Sequence, residues 1–139
     1  MREYLFRGQV NYDEKNPLKH EWNGRWIYGM LTKKGSPICY CIDNRPVDPK
    51  TIGEWTSKKD DYGQKIFEGD IVQCVDYPEY IGEVWWCNDD ASFLVEPLTL
   101  EGLNAYISLK IKVIGNIHDN PELLKSLKSD NEKRFERRS

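Results

Sequence analysis

The chain has 139 residues, with 20 Lys+Arg against 23 Asp+Glu for a formal net charge of −3, and is 39% hydrophobic and 31% charged. That length suits one ordinary domain, or a small domain with an appendage, and it buries enough surface to fold without disulfides or metal. The composition is too apolar for a disordered chain and too polar for a membrane protein, and the acidic balance disfavours a globally basic nucleic-acid binder.

Alternation around Tyr4, Phe6 and Val10 predicts a first strand, and the polar run 11–23 a loop. Arg25 to Leu31, rich in aromatic and branched residues, predicts a second strand. Lys34-Gly35-Ser36 predicts a turn, with Ile38 to Ile42 returning as the hairpin partner and Asn44-Arg45-Pro46 breaking it. Pro49 marks a turn or sheet edge, and Thr51 to Thr56 runs extended. Asp60-Asp61-Tyr62-Gly63 predicts a tight turn with Gly63 at positive φ, and Glu68-Gly69-Asp70 a second with Gly69 at the bend.

Strands follow at 71–75, 80–86 and 91–96, with Asn88-Asp89-Asp90 turning between the last two. A longer alternating strand runs through Leu109 to Ile114. Asn120-Pro121-Glu122 predicts a helix start, with Asn120 as cap and Pro121 in the first turn. Leu123, Leu124 and Leu127 form an apolar stripe, and the charged residues after 130 predict fraying. The expected fold is mainly β with a C-terminal helix. It has an N-terminal strand and hairpin region at 1–58, a small SH3-like β-barrel at 59–118, and a helix with a charged tail at 119–139.

The four cysteines are Cys39, Cys41, Cys74 and Cys87. Cys39 and Cys41 alternate along a strand, which directs both thiols to one face. No Cys-x-x-Cys pair exists, and His20 and His118 are not spaced as zinc partners. The thiols therefore read as reduced, buried small hydrophobes, with a metal or redox role as the lesser alternative. No signal peptide and no apolar run of membrane-spanning length is present, so the expected location is the cytoplasm.

Asp60, Asp61, Glu68 and Asp70 are the densest carboxylates. A metal or acid–base site would need two or three of them to converge. Turn chemistry is the simpler reading, because it also accounts for Gly63 and Gly69. Neither a nucleophile elbow nor a catalytic constellation is visible, so no catalytic residue, cofactor or metal is assigned.

The chain holds five tryptophans, Trp22, Trp26, Trp55, Trp85 and Trp86. Adjacent Trp85 and Trp86 face opposite sides of one strand, so one needs cover from elsewhere in the chain, a partner or a ligand. Trp26, Trp55, Trp85 and Trp86 are the candidate interaction residues, with burial against a protein or a second copy preferred over base stacking. Lys125, Lys128, Lys133, Arg134, Arg137 and Arg138 make the tail basic in patches, read as a solvated face before a nucleic-acid tether.

Several segments, in order, resemble the YopX family of phage and prophage proteins. The densest match runs from Asp60 to Val72, where Asp61, Gly63, an apolar pair and Glu68-Gly69-Asp70 form the motif. Val47 to Thr56 matches the segment before it, and Gly115-Asn116 with Asn120-Pro121-Glu122 matches the C-terminal signature. Met1-Arg2, Phe6-Arg7-Gly8 and Trp26-Ile27-Tyr28-Gly29 match the start. Trp55, Ser57-Lys58-Lys59 and His118-Asp119 depart from the family pattern. The resemblance implies a mostly β phage-encoded cytoplasmic protein of undefined biochemical function, with no catalytic residues to carry over. Together these readings give a non-enzymatic accessory protein that self-associates and meets a phage or host protein without a membrane. Nucleic-acid binding by the barrel face and basic tail is the alternative, and a metal-dependent enzyme on the Asp60–Asp70 carboxylates the least favoured.

Overall fold

A computed structural model describes residues 4–12, 20–78, 80–89, 91–96 and 110–124. The chain is mainly β, in antiparallel sheets, and divides into two compact units, Met1–Ser57 and Lys58–Ser139.

In the first unit β1 (Phe6–Gln9) lies between β2 (Trp26–Gly29) and the start of β6 (Gly53–Lys59). A second sheet has the order β3-β4-β5, formed by Leu31–Lys34, Cys39–Ile42 and Arg45–Pro46. The single strand expected over Arg25 to Leu31 is therefore two, which break at Met30 and enter different sheets. Periodicity does not report that break, because both halves are β-prone. Arg45 and Pro46, expected to end the hairpin, instead pair with Ile42 and Cys41. Asp43 and Asn44 make the two-residue turn with φ of 51° and 59°, as a hairpin turn of the primed type requires. Asp and Asn tolerate that region better than other side-chain-bearing residues.

Val10 bridges Val47, and both are buried with Cys41 and Ile42. A 3-10 turn at Pro49–Thr51 is capped by Asp48, whose carboxylate accepts the Lys50 N–H. Thr51 Oγ1 donates to the Asp48 carbonyl and accepts the Gln9 N–H at 2.8 Å, tying this turn to β1.

In the second unit the end of β6 is bordered by β7 (Lys65–Phe67). A four-stranded sheet then has the order β10-β9-β8-β11, built from Ser92–Glu96, Ile81–Cys87, Asp70–Cys74 and Ile111–Asn116. Its core is Ile66, Val72, Val84, Val95 and Ile111, all 0% exposed, with Phe93 and Val113 packed against it. Each such side chain contributes roughly 1.5–3 kcal/mol by leaving water.

Among the described residues no sheet closes on itself, so the expected closed barrel is not present as a continuous ladder. The edge of β11 facing away from β8 is instead met by the Asp60 turn, through Asp61 N–H to the Ile111 carbonyl and Val113 N–H to the Asp60 carboxylate. A turn and a side chain stand where the adjoining strand of a barrel would lie. Residues 122–124 are helical. Leu127 and the basic tail lie outside the described residues. The Asn120 side chain does not cap the helix as expected. It accepts the Asn116 N–H, while the Asn120 carbonyl accepts the Leu123 N–H.

Candidate functional site

Asp60 is 8% exposed and accepts backbone N–H groups on both carboxylate oxygens. Oδ1 takes Tyr62 and Gln64, and Oδ2 takes Val113, each at 2.9 Å. Asp70, 1% exposed, accepts the Phe67 N–H at 2.7 Å. Asp61 is exposed and Glu68 half-buried. The two buried carboxylates thus engage backbone amides, Asp60 those of its own turn and of β11, Asp70 that of Phe67 beside its bend. Among the described residues no three His, Cys, Asp or Glu side chains gather as a metal site.

Gly63 and Gly69 have φ of 83° and 91°. Gly69 donates its N–H to the Val84 carbonyl and accepts the Ile117 N–H on its own carbonyl, so the bend links β9 to the end of β11. Asn116 organises the turn after β11. Its Oδ1 accepts His118 and Asp119 N–H groups at 2.9 Å, and its Nδ2 donates to the Asp119 carboxylate at 3.2 Å. Gly115 lies so close to Asn120 that a Cβ there would stand 2.5 Å from Oδ1. The motif residues Asp61, Gly63, Glu68, Gly69, Asp70, Gly115 and Asn116 therefore occupy two turn systems of the second unit.

The candidate tryptophans do not form one patch. In the first unit Trp26 is half-buried beneath the Arg7 guanidinium, 4.8 Å from its ring, and Trp55 is half-buried with its N–H on the Leu5 carbonyl. In the second unit Trp85 is half-buried opposite Leu94, whereas Trp86 is 39% exposed. Trp86 meets Phe93 edge-on at 5.0 Å and donates to Asn88 Oδ1. Tyr77 and Tyr80 stack at the other end of β9, 52% and 46% exposed. Aromatic groups thus bracket β9.

All four cysteines are free thiols. Cys41, Cys74 and Cys87 are buried, but Cys39 is exposed, because it opens β4 at the hairpin end, opposite Lys34. The Cys39 and Cys41 sulfurs are 3.9 Å apart on one face. Desolvation, the hydrogen bond with Cys41 and charge repulsion from it push the Cys39 thiol up, against the lowering pull of Lys34.

A cluster that sequence spacing does not reveal lies in the first unit. Trp22 carries the Arg45 guanidinium 3.8 Å and the Arg25 guanidinium 5.0 Å from its ring centre. Arg45 donates to the Tyr12 hydroxyl at 2.9 Å, and Tyr12 stacks on His20 at 3.7 Å. A separate cleft of about 260 Å³ is lined by Tyr28, Gly29, Met30, Thr32, Asp43 and Asn44. In that lining the Thr32 hydroxyl donates to the Cys41 carbonyl at 3.4 Å.

The family model of the YopX protein matches residues 3–125. The chain belongs to the YopX family. Among solved structures it is similar to protein EF1440 from Enterococcus faecalis, with a TM-score of 0.51 and 26% identity over 90% of this chain and 100% of that one. No curated protein matches the chain. Among the described residues no helix is long and apolar enough to cross a membrane. Membership supplies no reaction, and the motif's turn residues fit a scaffold.

Proposed function

We propose that this YopX-family chain is a non-enzymatic accessory protein of a phage or prophage, working in the host cytoplasm as a β-rich interaction module that self-associates. The observation carrying this reading is the pair of aromatic groups bracketing β9, Tyr77–Tyr80 and Trp86–Phe93. Exposed aromatic side chains on a rigid strand bury large area at little entropic cost, which is why interfaces favour them. The carboxylate geometry supports the non-enzymatic half, since Asp60 holds backbone amides of its own turn and of β11, and Asp70 one beside its bend.

The SH3-like barrel expected over 59–118 belongs to this proposal. Its support is the meander β8–β9–β10 with β11 returning beside β8. The preferred partner is a second copy, followed by a phage or host protein. The test is gel filtration of the wild type beside Trp86→Ser and Tyr80→Ser, with folding checked by circular dichroism. The wild type is expected to elute as an oligomer and the folded variants later. Identical late elution of all three, at the monomer volume, would refute self-association through β9.

A further inference from the structure

Five side chains from three stretches of the first unit converge on one aromatic and cationic surface. Asn23 Oδ1 accepts the Tyr12 N–H, and Gly24 N–H donates to the Val10 carbonyl. These bonds bring the 20–24 turn against the end of β1. Asn11 N–H donates to the Pro46 carbonyl, which sets Arg45 beside Tyr12. Within this frame Arg25 and Arg45 share the Trp22 ring, and Tyr12 stacks on His20.

Both guanidiniums lie at the Trp22 indole, and among the described residues neither forms an ion pair with a carboxylate. Planar guanidinium forks match phosphate oxygens, and stacking on Trp22 restricts them before any ligand arrives. His20 Nδ1 accepts the Trp22 backbone N–H, so in the neutral ring the proton sits on Nε2 as a further donor. Tyr12 accepts from Arg45, which leaves its own O–H to donate. Tyr12 also keeps 37% exposure, enough ring for a base to meet.

We propose that Tyr12, His20, Trp22, Arg25 and Arg45 form a phosphate-binding surface for single-stranded nucleic acid, with the two arginines on a phosphodiester and the Tyr12–His20 stack against a base. The acidic net charge of the whole chain does not oppose this, because the first unit carries a basic excess and the second the acidic one. All five residues belong to the first unit.

The test is fluorescence anisotropy of a labelled oligothymidylate with the full chain across a salt series. Arg25→Gln, Arg45→Lys and Lys112→Gln are compared, with inorganic phosphate as a separate ligand. Arg25 makes no side-chain hydrogen bond among the described residues, so its variant should stay folded. Binding is expected at low salt and should weaken as salt rises. Arg25→Gln should weaken it roughly tenfold and lower the salt slope by about one, as loss of one charged phosphate contact would. Arg45→Lys, which keeps the charge but loses the fork, should bind more weakly, and Lys112→Gln should match the wild type. No oligonucleotide binding at low salt, equal binding by Arg25→Gln and wild type, or binding of inorganic phosphate alone would each overturn the proposal.

Discussion

Gly69 holds φ at 91°, where a side chain strains the backbone, and it hydrogen-bonds in both directions across the second unit. Gly69→Val should destabilise the protein by about 1–3 kcal/mol, read as a lower urea midpoint. An unchanged midpoint would show that the bend tolerates another conformation. Asp60 gives a second residue-scale prediction. Its three accepted N–H bonds hold the turn and cover the outward edge of β11. Asp60→Ala should cost about 1–3 kcal/mol or more by leaving amides without an acceptor, and protection of the Val113 amide against hydrogen exchange should fall with it. Full protection in that variant would mean that the carboxylate is dispensable.

Cys39 gives a pH prediction. Its thiol is raised by desolvation and by Cys41, so less of it is thiolate at a given pH than in an ordinary cysteine. A raised folded value means the folded state holds the proton more tightly. Any stability from this group is thus present below the unfolded thiol value and lost as pH rises through the folded one. Alkylation of Cys39 should turn on above the ordinary thiol range, and Cys41→Ser should move that rise to lower pH. An unshifted rate profile in Cys41→Ser would contradict the coupling.

Elements were legible where a period or a turn residue decides them. The strands at β8, β9 and β10 and the bends at Gly63 and Gly69 follow from alternation and from glycine. The split of β2 from β3 was not legible, because Met30 has no property that breaks a strand and the choice of sheet is tertiary. The Asp43–Asn44 hairpin was hidden by reading Pro46 as a breaker, although β5 is a short partner that tolerates it. The arginine cluster at Trp22 was hidden for a stronger reason. Arg45 and Trp22 are far apart in sequence, and the Val10–Val47 bridge and its neighbours bring their stretches together.

The turn after β11 supplies a prediction at this scale. Gly115→Ala would drive a methyl into Asn120, while Asn120→Ala removes that obstacle together with a hydrogen bond. The double variant should be more stable than the sum of the single losses implies, by about 0.5–3 kcal/mol of coupling. Strict additivity in urea unfolding would show that the two positions do not meet.

At the scale of the molecule, family membership and the β-rich fold leave function to the surface. The buried carboxylates tie turns together, and Tyr77, Tyr80 and Trp86 beside β9 are exposed. Such groups on a small protein usually mark an interface, and identical subunits usually meet with closed symmetry. The proposed role therefore requires that the chain associate with itself. Light scattering at micromolar concentration measures this directly. A mass that is a small multiple of 16.4 kDa, falling toward 16.4 kDa in Trp86→Ser, is the predicted result, and a wild-type mass of 16.4 kDa across the concentration series would contradict it.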